Sequence, residues 1–206
     1  MVKLTLSEQL QAGFEALGLS HLDPEPFVQY LELLQQWNRA YNLTAVRDIE
    51  DMVSRHILDS LAIVPFMRGQ RWLDVGTGPG LPGIPLALAH PDARLVLLDS
   101  NGKKIRFLLE VVRNLSLKHV EVIESRVESY HPTRAFDTVV SRAFSALEPM
   151  VEKTRHLIDS RGLWLAMKGR VPEDELTQLG KSYDTRTYTV PGVLGERCCI
   201  LIEPSS

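Results

Sequence analysis

Residues 72–83 read Trp-Leu-Asp-Val-Gly-Thr-Gly-Pro-Gly-Leu-Pro-Gly, and a second acid, Asp99, closes the next apolar run. A short buried-strand pattern, Trp72 to Val75, breaks into a glycine-rich turn, and a helix pattern comes after it. Glycine lets the backbone turn at φ > 0 and lets a ligand approach the main chain closely. The helix start beyond offers unpaired N–H groups and the positive end of the helix dipole. A cofactor is expected here, in one of two registers. Gly78-Pro79-Gly80-Leu81-Pro82-Gly83 is a G-x-G-x-x-G, the spacing that cradles a pyrophosphate. Shifted by two residues, Asp74-Val75-Gly76-Thr77-Gly78-Pro79-Gly80 is D-x-G-x-G-x-G. Asp74 separates the two readings: its carboxylate repels a pyrophosphate and attracts a cationic amino group, directly or through water. Asp99 suits both, since any ribose offers hydroxyls to an acid at the end of the second strand.

The elements that must position these residues come in a clear order. Leu6, Leu10, Phe14 and Leu17 fall at helical spacing. Asp23-Pro24 starts a second helix with Phe27, Tyr30, Leu31, Leu34, Trp37 and Tyr41 on one face. Asp48 caps a third, which carries Ile49, Met52, Val53, Ile57, Leu61 and Val64. Residues 1–68 therefore form a helical segment, too small to bury a large core alone and expected to pack on the rest of the chain. From residue 71 strands and helices alternate: strands at 71–76, 94–99, 119–123, 136–141 and 162–168, with helices at 83–90, 102–115 and 147–158 and a short turn near 126–130. This β-α repetition implies a mostly parallel, doubly wound α/β sheet over residues 69–206. The end departs from it. Strand patterns 183–190 and 197–203 are separated by only six residues, too few for a parallel crossover, so they form an antiparallel hairpin.

Composition narrows the class. The chain has 206 residues, is 44% hydrophobic and 24% charged, and carries a net charge of −3, which suits one globular domain with a small extension. No apolar run reaches the length of a membrane span, and the first residues lack the apolar core of a signal peptide. The only cysteines, Cys198 and Cys199, are adjacent in a strand pattern and cannot staple a fold, which points to a reducing, cytoplasmic setting. The acidic balance excludes a generic nucleic-acid coat protein but not an enzyme with local basic patches, such as Lys103, Lys104 and Arg106.

Ligands in doubly wound sheets bind outside the carboxyl ends of the strands. Those ends carry Asp74, Asp99, Ser125-Arg126-Val127-Glu128, Ser141-Arg142 and Lys168. No metal-ligand spacing appears, and a two-residue pair such as His56 and Asp59 makes a poor metal site; the two read better as a structural hydrogen-bonded pair. No Gly-x-Ser-x-Gly element suggests a hydrolase. The cysteines read as small buried hydrophobes.

The D-x-G-x-G-x-G stretch resembles motif I of the class I S-adenosylmethionine (AdoMet) methyltransferases, and a parallel sheet that ends in a hairpin is similar to their seven-stranded fold. A nicotinamide-binding fold would end in a sixth parallel strand. The segment after the fourth strand, Val140-Ser141-Arg142-Ala143-Phe144, lacks the Asp/Asn-Pro-Pro-Tyr/Phe loop of enzymes that methylate exocyclic amines. Five stretches together resemble one bacterial family, the ribosomal RNA small subunit methyltransferase G family, also called glucose-inhibited division protein B. They are Asn38-Arg39-Ala40-Tyr41-Asn42-Leu43-Thr44, Arg55-His56-Ile57-Leu58-Asp59-Ser60, residues 73–86, Ser141-Arg142-Ala143-Phe144 and Lys168-Gly169. The resemblance covers residues 5–203. It implies AdoMet-dependent methylation of N7 of guanosine 527 in the 530 loop of 16S rRNA, with S-adenosylhomocysteine as product. It also implies cofactor contacts at Gly76, Leu81, Val127, Glu128 and Arg142. To these the residue reading adds Asp74, Asp99, Gly78 and Gly80.

Guanine N7 carries an exposed lone pair at neutral pH, so its attack on a sulfonium methyl needs placement rather than a general base. Arg142 is the first choice for a working side chain and Lys168 the second. An acidic protein that modifies folded RNA is expected to act, as a monomer, on a 30S particle or assembly intermediate rather than on naked RNA. The competing readings are a class I methyltransferase with another substrate, a nicotinamide-dependent oxidoreductase that uses Gly78 to Gly83, and a non-catalytic RNA-binding module.

Overall fold

The computed structural model describes residues 4–142, 144 and 146–204; Ala143 of the Ser141-Arg142-Ala143-Phe144 stretch lies outside them. Seven strands form one sheet: β1 (Arg71–Val75), β2 (Arg94–Asp99), β3 (Val120–Glu124), β4 (Phe136–Ser141), β5 (Ile158–Lys168), β6 (Tyr183–Tyr188) and β7 (Arg197–Ile202). Their order is β3-β2-β1-β4-β5-β7-β6. The first five pair in parallel, and β7 runs antiparallel to both β5 and β6. The expected hairpin is therefore present. This is the class I methyltransferase fold.

Strand β1 lies at the centre of the five parallel strands, paired through Asp74 with Leu97 of β2 and Val140 of β4. Side chains alternate across the sheet because the strand period is two. Leu73, Val75, Val96, Leu98, Trp164 and Ala166 enter one core layer, with Met150 and Leu176. That layer lies under α7 (Leu147–Thr154) and α8 (Glu173–Gln178). Trp72, Leu95, Leu97, Val140 and Leu165 enter the other. There they meet α1 (Leu6–Ala16), α2 (Glu25–Tyr41), α5 (Gly83–Ala89) and α6 (Gly102–Asn114). Asp74 shares the parity of Trp72, so it points toward the side that the N-terminal helices cover.

Those helices have local causes. Thr5 and Glu8 form a reciprocal capping box at the start of α1. Asp23 accepts from the Glu25 N–H at the start of α2. Phe27, Tyr30, Leu31, Leu34 and Asn38 form the buried stripe of α2. Tyr30 and Trp37 meet Phe107 of α6 at ring-centroid distances of 6.4 and 5.6 Å. The N-terminal segment and the sheet thus share one apolar core.

The third helix differs from its sequence pattern. α3 (Ile49–Met52), capped by Asp48 as expected, passes into a π-helical stretch, Val53–Leu58, and then into α4 (Asp59–Leu61). Every residue from His56 to Ile63 is buried. A helix covered on all sides has no amphipathic stripe, so apolar spacing could not reveal its wider turn. The helix expected at 147–158 is also shorter, because β5 begins at Ile158 to pair with Phe136. No helix among the described residues is long and apolar enough to cross a membrane.

One bond joins the N-terminal segment to the glycine loop. The buried Tyr30 hydroxyl donates to the Pro79 carbonyl at 2.9 Å. Tyr30→Phe strands that carbonyl in a dry site and is expected to cost about 1–2 kcal/mol. A urea unfolding curve with unchanged slope and a lower midpoint checks it.

Candidate active site

The loop between β1 and α5 leaves no backbone donor idle. The N–H groups of Gly76 and Thr77 both reach the Leu98 carbonyl, at 2.9 and 3.1 Å. Gly78 donates to Asp99 Oδ2 at 3.0 Å. Gly80 and Leu81 both donate to the Thr77 carbonyl, and Ile84 donates to the Gly80 carbonyl. Gly83 donates to Asp74 Oδ2 at 2.8 Å, and Leu86 donates to the Pro82 carbonyl. Residues 79, 82 and 85 are prolines and have no N–H to give. The expectation that the helix start would offer free N–H groups to a ligand is thus corrected: they are taken up within the loop. A pyrophosphate needs such donors, so the dinucleotide register of Gly78 to Gly83 finds no partner here.

Asp74 holds this arrangement together. Its Oδ2 accepts from Thr77 Oγ1 at 2.7 Å and from the Gly83 N–H, while its Oδ1 is buried with no hydrogen-bond partner. Burial pushes its pKa up to about 7; its two hydrogen bonds and Arg142 oppose the shift, and the charge of Asp99 adds to it. Gly83 has to be glycine for space, because a Cβ there would run into the side chains of Leu97 and Asp74. Asp99 also accepts from the Asn101 N–H at 2.9 Å and meets Lys104 Nζ at 3.3 Å.

Beside the loop lies a cleft whose lining includes Gly76, Asp99, Ser100, Val127, Glu128 and Phe144. It brings together Gly76 and Asp99 from the first two strand ends with Val127 and Glu128, which sit in a short 3-10 turn after β3. Glu128 pairs with Lys153 at 2.9 Å on the exposed rim. Ser141 fixes the end of β4 by donating to the Val75 carbonyl at 2.9 Å.

Arg142, the next residue, turns toward the N-terminal segment. Its NH1 lies 3.5 Å from Asp59 Oδ2, and Arg197 Nε lies 3.8 Å from Asp59 Oδ1. The Arg142 charge reaches Asp74, Tyr30 and His56. Lys168 is engaged elsewhere. Its Nζ contacts both Glu175 oxygens, at 3.0 and 2.9 Å, and Glu175 accepts from the Leu147 N–H at 2.8 Å. Lys168 thereby fastens α8 and the start of α7 to β5.

His56 and Asp59 do not bond each other, contrary to expectation. His56 Nε2 meets Thr44 Oγ1 at 2.9 Å, while Asp59 faces the two arginines. Burial, then the Arg142 charge, push the His56 pKa down to about 4, so the ring is neutral at pH 7. Asn38 donates to the Val46 carbonyl and accepts from the Thr44 N–H, which folds the 42–46 loop onto α2. Sequence reasoning missed three participants. Thr77 and Tyr30 carried no signal beyond loop and core, and Arg197 read only as the start of a strand.

Comparisons with known proteins bear on the family and the fold. Residues 23–197 match the family model described as rRNA small subunit methyltransferase G. The chain belongs to the rRNA small subunit methyltransferase G family. A family member from Legionella pneumophila strain Philadelphia 1 is 61% identical over 85% of this chain and 84% of its own. One from Pseudomonas syringae pv. syringae is 49% identical over 98% and 97%. Among solved structures, a putative O-methyltransferase from Klebsiella pneumoniae aligns with a TM-score of 0.60 at 15% identity, over 86% of this chain and 90% of that one. A methyltransferase from Geobacter sulfurreducens aligns equally well, with a TM-score of 0.60 over 86% and 89%. These likenesses concern the fold, whereas the family rests on sequence.

Gly83→Ala is expected to push Leu97 or Asp74 aside at a cost of about 1–3 kcal/mol. A thermal melt that matches the unaltered protein would show that the loop tolerates a Cβ at this point.

Proposed function

We propose that this protein transfers the methyl group of AdoMet to N7 of guanosine 527 in the 530 loop of 16S rRNA, with S-adenosylhomocysteine as the other product. The observation that carries the cofactor is the Asp74 loop. Its amide donors are all consumed, and it keeps one buried carboxylate oxygen without a partner. Such a site suits a cation and not a phosphate. Membership of the rRNA small subunit methyltransferase G family supports the acceptor.

Asp74, Gly76, Gly78, Gly80, Leu81 and Asp99 would hold the methionyl and ribose parts, and Val127 and Glu128 the adenine. When bound, the cofactor supplies an electrophilic sulfonium methyl. The protein then has to place the guanine and exclude water. No proton has to leave N7, so the reaction asks for no general base. Arg142 would brace the cofactor or donate to the guanine O6 edge. Lys168, held by Glu175, contributes by fixing the loop after β5. The substrate is 16S rRNA within a 30S particle or assembly intermediate, met by a monomer in the cytoplasm, because a chain of net charge −3 gains little from naked RNA.

Transfer of labelled methyl to 30S particles, with the nucleotide mapped by mass spectrometry, tests the reading. One 7-methylguanosine in the 530 loop is expected, and faster transfer to the particle than to protein-free RNA. Label in protein alone would end it. Arg142→Ala should lower turnover by at least about 100-fold with the fold intact.

The Asp74 pKa near 7 gives a second test. Below pH 7 the free protein keeps a proton on Asp74, and an ammonium partner requires the carboxylate. AdoMet affinity should therefore fall about tenfold per unit as pH drops below 7, with proton release on binding. Calorimetry at pH 6 and 8 should show the slope, and Asp74→Asn should flatten it.

A further inference from the structure

The Asp59 carboxylate is 5% exposed and lies between two arginines that come from different strands. Arg142 follows the end of β4, and Arg197 opens β7. We infer that Asp59 is a positioning residue for methyl transfer, a single buried anion that sets both guanidiniums toward the reaction space. The inference rests on the proposed reaction.

Four observations carry it. The contacts are long, 3.5 and 3.8 Å, where a closed charge-assisted hydrogen bond measures about 2.7–2.9 Å. Asp59 Oδ1, Arg142 NH1 and Arg197 Nε accordingly lack hydrogen-bond partners although they are buried. A pair selected for stability alone would close, because unmet buried charge is costly. Here the carboxylate orients the arginines without saturating them.

The charges do not balance either. Two guanidiniums share one carboxylate, and the nearby His56 is neutral at pH 7. The side chains of Arg142 and Arg197 remain 31% and 32% exposed, and each has five N–H donors, so both keep donors for an anionic or carbonyl-bearing substrate. Third, the charge of the held guanidinium acts on Asp74 of the β1–α5 turn and favours its ionised form. Fourth, the chain leaves room for its partner: a Cβ on Gly169 would lie 3.2 Å from Arg197 NH1. Glycine after Lys168 keeps that space open.

The experiment is a double-mutant cycle on the full chain with 30S particles and AdoMet. Asp59→Asn keeps the shape of the side chain and removes its charge. It should lower kcat by about 10- to 100-fold in protein that stays folded at the assay temperature. Asp59→Glu, which keeps the charge, should recover part of that loss. In an Arg142→Ala background, Asp59→Asn should lower kcat by less than about threefold, because the group it positions is gone. Multiplicative losses would overturn the inference, and so would undiminished turnover in Asp59→Asn while Arg142→Ala is impaired. Should Asp59→Asn fail to fold, the same cycle with Asp59→Glu decides by the same criterion. Absence of transfer by the unaltered protein would overturn the proposed reaction and this inference together, so the two failures are distinguishable.

Discussion

The carboxylate of Asp74 is the constraint on which the β1–α5 loop depends. One buried oxygen closes a ring across the β1–α5 turn by accepting from Thr77 and Gly83. Around it every N–H from Gly76 to Leu86 is satisfied, and three prolines lower the number of donors to satisfy. Such a loop is built before any ligand arrives, so binding costs little in ordering it. It also explains how one glycine-rich sequence can match a phosphate-binding pattern and yet be unable to serve one. The spacing of glycines fixes where the chain can turn, while the fate of the donors decides what it can hold.

The N-terminal helices serve the same loop from the other side. Tyr30 bonds the Pro79 carbonyl, and α2 packs on α6 through Phe107. Further along, the buried helical run from His56 to Ile63 carries polar groups that an independent helix could not keep out of water. They are tolerated because Thr44, Arg142 and Arg197 face them. The segment shares the core of the sheet.

Much of this was legible in the residue pattern. The parallel strands announced themselves as short apolar runs after turn residues, and the short gap before Arg197 required a hairpin. Asp74 and Asp99 stood out because acids at the ends of buried strands are unusual, and the structure places Asp99, Val127 and Glu128 along one cleft. What stayed hidden depends on contacts distant in sequence. The π-helical stretch has no stripe to read, the loop donors look free until Leu98 and Asp99 take them, and Lys168 looks free until Glu175 binds it. Arg197 resembles any strand residue until Asp59 faces it.

Strand β7 decides which end of the sheet Arg197 reaches. A parallel strand can offer only its last residues to the ligand edge of this sheet, whereas the reversed β7 offers its first: Cys198 pairs with Lys168, the final residue of β5. Reversal thus brings Arg197 to an edge that a sixth parallel strand would approach with its opposite end. β7 is also the last strand in the chain, yet it lies between β5 and β6. β6 pairs with β7 and with no other strand, so it joins the sheet through β7. Arg197 therefore sits on the same strand that holds the edge of the sheet in place.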